Sequence, residues 1–252
     1  MLRTGLGFIL LAGLIACGSN STGDVSSTDA TDDTAPPTEL TVKTLADGSY
    51  VCRPPGAGPF AGVLYSHGGL GDAIGGDLEG TCRALAEAGY LAHSEQRPLG
   101  DLPLPDHLQE VLTALDALLA HPDLAPGRVA LMGFSRGGLL SLQAAVSRPN
   151  DIQALLLFAP APGKDALAKT TQQVDVITSP VRLYVAENDV YQADHVLLAE
   201  QVTDALQAAG KDAKLTIYPP YTDATTRDGH MLFDAVQEPY WSDVIAFLAR
   251  TL

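Results

Sequence analysis

Lysine and arginine are scarce in this sequence. Its 252 residues carry 15 of them against 30 aspartates and glutamates, a formal net charge of −15. A phosphate backbone is bound by clustered cations, so nucleic acid is excluded as a partner. Long apolar runs are absent too. The one sustained stretch, Leu6 to Ala16, is too short to span a bilayer as a mature helix. There is no H-E-x-x-H and no paired-cysteine motif, so neither a tight metal site nor a cofactor is expected. No internal repeat marks a solenoid or propeller. What remains is a chain with 46% hydrophobic and 18% charged residues, which suits one α/β domain with a sizeable core.

The first twenty residues, "MLRTGLGFILLAGLIACGSN", place Arg3 before the apolar run and stop it at Cys17. That layout fits a secretion signal. Its end, Leu14-Ile15-Ala16-Cys17, resembles the lipobox of bacterial lipoproteins. The resemblance implies a signal peptide over 1–16, cleavage before Cys17 and a diacylglycerol thioether on the Cys17 sulfur. The chain would then be lipid-anchored in a bacterial cell envelope, on the periplasmic side of a membrane or at the cell surface. Residues 17–39 are rich in Ser, Thr and Asp and end in Pro36-Pro37 before Leu40. Such a segment buries too little surface to offset its ordering entropy and reads as a disordered tether.

From residue 40 onward, apolar strand-like runs alternate with helical periods. Short strands are expected at 39–44 and 49–53, joined at Asp47-Gly48. "FAGVLYSHGG", "YLAHSEQ", "RVALMGF", "IQALLLFAP", "PVRLYVAEND" and "AKLTIYP" follow as strands. Helices are expected over Leu78–Ala88, through the stripe from Leu108 to Leu119, after Ser135, from Leu198 to Ala209, and at the C-terminus. The alternation implies a mostly parallel sheet with helices on both faces and chemistry at the carboxyl ends of the strands. Leu78, Cys82 and Leu85 fall on one helix face, so Cys82 reads as a small buried hydrophobe. A Cys52–Cys82 bridge is the alternative in a compartment that permits disulfides.

One junction between strand and helix is unusual. Gly133-Phe134-Ser135-Arg136-Gly137 matches the G-x-S-x-G nucleophile elbow, in which a sharp turn exposes one hydroxyl. Placed as it is, the motif makes residues 40–252 resemble an α/β-hydrolase of the dienelactone-hydrolase-like and prolyl-oligopeptidase-like kind, with little or no cap domain. In that order of elements the base is a histidine after the last strand, and among six histidines only His230 stands there. The resemblance implies Asp189 as the acid, with Glu187 and Asp194 as rivals. It also implies an oxyanion loop at His67-Gly68-Gly69-Leu70-Gly71, with Gly69 the donor and Leu70 in reserve, opposite the backbone N–H of Arg136. Tyr191, Met231 and Phe233 flank the acid and base and line either pocket or core.

The expected activity is hydrolysis of small-molecule carboxylic esters through an acyl-enzyme. An acyltransferase or peptidase using the same side chains, and a noncatalytic tethered binding module, are the alternatives. Dienelactone hydrolases proper use cysteine, so Ser135 argues against dienelactone as substrate. Only some twenty residues join "LLLFAP" to "PVRLYV", which predicts an open cleft.

Overall fold

Every residue of the stretch Ala61–Ser66 is buried, as it must be for a strand covered on both faces. This stretch lies in β3 (Phe60–Ser66), near the middle of an eight-stranded sheet. The computed structural model describes residues 37–69, 73–98, 100 and 103–252. The expected signal peptide, Cys17, most of the expected tether, and Leu70 and Gly71 of the expected oxyanion loop lie outside the described residues.

In chain order the strands are β1 (Thr41–Thr44), β2 (Tyr50–Arg53), β3, β4 (Leu91–Glu95), β5 (Leu124–Phe134), β6 (Ala154–Phe158), β7 (Val181–Ala186) and β8 (Ala213–Tyr218). Their order across the sheet is β1-β2-β4-β3-β5-β6-β7-β8. β2 runs antiparallel to both neighbours, and the remaining pairs are parallel. The helices are α1 (Leu78–Glu87), α2 (Leu104–Leu119), α3 (Arg136–Ser147), α4 (Ala166–Thr171), α5 (His195–Ala208) and α6 (Tyr240–Thr251). This is the mostly parallel sheet that the sequence predicts. α2 starts a turn earlier than its leucine stripe, because Pro105 at its N-terminus costs no intrahelical hydrogen bond.

Side chains alternate along each strand, so the sheet divides two apolar cores. Leu64, Leu131, Leu155, Leu157 and Leu183 pack with Leu115 of α2, Leu140 of α3 and Val202 of α5. Val63, Tyr65, Met132, Leu156 and Tyr184 pack with Leu85 of α1 and Phe247 of α6. Cys52 and Cys82 are both fully buried, and a disulfide joins them across a Cα–Cα distance of 5.6 Å. Burial and bridging, set apart in the sequence reading, are therefore met together: the bond ties α1 to β2.

Candidate active site

Three strand ends, those of β5, β7 and β8, deliver side chains to one cavity. After β5 the chain turns at Ser135 with φ 52° and ψ −114°, a left-handed φ that L side chains rarely adopt. Three main-chain bonds hold it there. Ser135 N–H donates to Phe158 O at 2.8 Å, and its carbonyl accepts from Ala161 N–H at 2.9 Å and Leu139 N–H at 3.1 Å. The flanking glycines are spatial necessities. A Cβ at Gly133 would lie 2.3 Å from Gly137 O, and one at Gly137 would lie 1.9 Å from Ser66 O.

After β7, Asp189 is fully buried and its carboxylate faces the ring of His230, with Nδ1 2.8 Å from Oδ2 and 3.1 Å from Oδ1. The rivals stand apart. Glu187 and Asp194 are exposed, and Asp194 caps α5 by accepting the Leu197 N–H at 2.9 Å. His230 lies in a short 3-10 turn, Asp228–Phe233, and is 4% exposed. Its surroundings are closely packed. Gly229 presses so close to Asn188 that a Cβ would lie 2.5 Å from Oδ1. Asn188 in turn clasps Tyr221, donating Nδ2–H to its carbonyl at 2.8 Å and accepting its N–H at 2.9 Å. The sequence reading assigned Asn188 nothing. Its only signal was an amide beside the acid, in a turn rich in polar residues.

A cavity of about 700 Å³ opens at this junction. Ser135 and His230 both line it, together with Gly69, Arg136, Tyr191 and Met231. Phe233 does not. It is 3% exposed and packs among Phe158, Tyr218 and Tyr240 in the core. Among the described residues no hydrogen bond joins Ser135 to His230. Gly69 adopts φ +87°, and a Cβ there would strike the Ala73 carbonyl, so only glycine fits at this point of the cavity lining.

Behind that loop sits a buried polar cluster. The Arg97 guanidinium bonds Glu95 at 2.6 Å and donates to the carbonyl of His67, bracing the strand end that leads into the glycines. Burial pushes the Glu95 carboxyl up to about 7, against the pull of Arg97. Burial and the same guanidinium hold His67 down to about 3. Neither Glu95 nor Arg97 belongs to a motif the sequence analysis used.

A second histidine stands beside the Asp189–His230 pair. His195, the first residue of α5, is 1% exposed, and its ring centroid lies 4.6 Å from that of His230. Nε2 donates to Tyr191 O at 2.8 Å and lies 4.0 Å from Asp189 Oδ1. Burial lowers its basicity, opposed by the Asp189 charge.

The sheet order, the turn at Ser135 and the cavity above the strand ends define an α/β-hydrolase fold. The model of the dienelactone hydrolase family matches residues 98–252, and the chain belongs to that family. Solved structures of similar fold include an esterase B from Lactobacillus rhamnosis, at 18% identity and TM-score 0.64 over 87% of each chain. A dienelactone-hydrolase-like promiscuous phosphotriesterase from metagenomic libraries is 18% identical, with TM-score 0.61 over 84% of this chain and 99% of that one. An acyl-coenzyme A amino acid N-acyltransferase of Rattus norvegicus is 28% identical over 134 residues, 52% of this chain. The present chain spans 30% of the length of that relative.

Proposed function

We propose that the protein is a serine hydrolase that cleaves carboxylic esters through an acyl-enzyme. The observation that carries the reading is the fully buried Asp189 carboxylate 2.8 Å from Nδ1 of His230, a residue that lines one cavity with Ser135. An aspartate so placed fixes the tautomer with its proton on Nδ1, leaving Nε2 as the acceptor. Nε2 takes the proton from Ser135 Oγ as the hydroxyl attacks the ester carbonyl, and Asp189 stabilises the imidazolium. Such Ser–His bonds commonly tighten only with substrate bound. The backbone N–H groups of Gly69 and Arg136 are the donors for the oxyanion. Each such donor typically contributes about 10²–10³ in turnover. His230 then returns its proton to the departing alkoxide, and water repeats the sequence to release the acid.

The cavity wall favours an ester that also carries an anionic group. Arg136, Lys164 and Arg227 line it, and among the described residues no acidic side chain does. The test is turnover of p-nitrophenyl butyrate and p-nitrophenyl hemiglutarate by the wild type, Ser135→Ala and His230→Ala, alongside labelling with a fluorophosphonate. Wild-type turnover and labelling are expected, faster with the hemiglutarate. Loss of at least about 10³-fold is expected in either variant. Equal labelling of wild type and Ser135→Ala would overturn the assignment.

A further inference from the structure

We propose that Asp189, His195 and His230 form a binding site for a zinc-like divalent cation, and that occupation of the site switches the hydrolase off. The inhibitory consequence rests on the role given to His230 above; the binding itself does not. One ligand atom from each of the three residues lies within 4.8 Å of the other two, and all three residues are buried. Zinc bonds to imidazole nitrogen and carboxylate oxygen are about 2.0–2.2 Å long, which separates tetrahedral ligands by roughly 3.3 Å. The observed 2.8 Å from His230 Nδ1 to Asp189 Oδ2, and 4.0 Å from His195 Nε2 to Asp189 Oδ1, bracket that spacing. The Tyr191 carbonyl, 2.8 Å from His195 Nε2, stands ready as a further oxygen donor. Of the residues in and beside this cluster, His230 and Tyr191 line the open cavity.

His195 is what sets this arrangement apart from a bare Asp–His pair. Its Nδ1 is buried without a hydrogen-bond partner, and the Pro160 carbonyl lies close by. If the ring proton moves from Nε2 to Nδ1, Nε2 is released for a metal and Nδ1 gains an acceptor. The proton balance closes without loss. Each imidazole stays neutral and carries one proton, transferred to the nitrogen remote from the ion.

The same transfer explains inhibition. Metal on His230 Nδ1 forces that ring's proton onto Nε2, the nitrogen facing the cavity. The ring then presents a donor to Ser135 where catalysis requires an acceptor. The cavity is left intact, so substrate still binds and turnover stops.

Binding is tested on Ser135→Ala protein by calorimetric titration with zinc chloride, which needs no turnover. One ion per chain is expected, with affinity at least tenfold weaker when His195→Gln is added. Cobalt(II) added to the wild type provides a readout that needs no variant at His195: absorption bands of a nitrogen-ligated, four- or five-coordinate ion are expected. On the active enzyme, zinc should lower kcat and leave KM unchanged, with recovery on adding EDTA. The His195→Gln enzyme should hydrolyse ester and require at least ten times more zinc for the same inhibition. No binding to Ser135→Ala, equal affinity with and without His195, or a cobalt spectrum of the hydrated ion would overturn the proposal. Zinc binding that depends on His195, in a protein that hydrolyses no ester, would overturn the catalytic reading and leave the metal site standing.

Discussion

His67 uses both ring nitrogens in its neutral form, with Nδ1–H directed at Gly68 O and Nε2 accepting the Arg97 N–H at 3.2 Å. A second ring proton, on Nε2, would meet the Arg97 backbone N–H in place of an acceptor. Burial, with the Arg97 guanidinium beside Nδ1, holds this imidazole down to about 3 in the folded protein. In the unfolded chain the ring titrates near 6.5, so below that pH the unfolded state binds the extra proton and the folded state does not. The contribution is complete above about pH 6.5 and is lost as pH falls toward about 3. Between pH 7 and pH 5 this residue alone should remove about 2 kcal/mol of stability. His93 and His195, also buried with lowered basicity, act in the same direction. Chemical denaturation of wild type and His67→Gln at the two pH values checks this. The variant should lose about 2 kcal/mol less than the wild type on acidification.

Among the elements, α1 is fastened most unusually, because its Cys82 is bonded to Cys52 of β2 across 30 residues of sequence. Closing a loop of that length removes roughly 3–4 kcal/mol of chain entropy from the unfolded state. A Cys52→Ala/Cys82→Ala double variant should therefore melt about 10 °C lower by scanning calorimetry. Its kcat should be unchanged, since Ser135, Asp189 and His230 follow β5, β7 and β8. The elements also show where the sequence was readable. β5 and α3 announce themselves through an apolar run, a serine among glycines and a helical period, all local signals. The turn carrying His230 could be located by its order along the chain but not described. Its packing rests on Asn188 and Gly229, partners brought together only by folding. His195 was passed over for a related reason. As the opening residue of a helix it looks like any polar N-terminal side chain, and its value lies in the distance to His230.

For the molecule as a whole, the sheet order is the part that local pattern could not supply. Alternating runs predict a parallel layer. They do not say that β3 lies between β4 and β5, which is what brings the glycine loop after β3 beside the turn after β5. The acidic balance of the chain and the lipobox resemblance of Leu14-Ile15-Ala16-Cys17 concern the molecule's setting rather than its chemistry. If Cys17 carries the lipid anchor, full-length protein from a bacterial host should partition into the detergent phase of Triton X-114. Cys17→Ala protein should remain in the aqueous phase with ester turnover unchanged, and identical partitioning of the two would remove the anchor from the account.

Ser135 occupies a backbone position where glycine would rest more easily. Holding a side chain at φ 52° costs on the order of 1–3 kcal/mol, a sizeable share of the margin by which folded domains persist. A lineage shaped by robustness alone would drift to glycine there and become sturdier and inert. On the proposed reading, the hydroxyl carried at this point, with a glycine two residues to either side, trades endurance for reactivity.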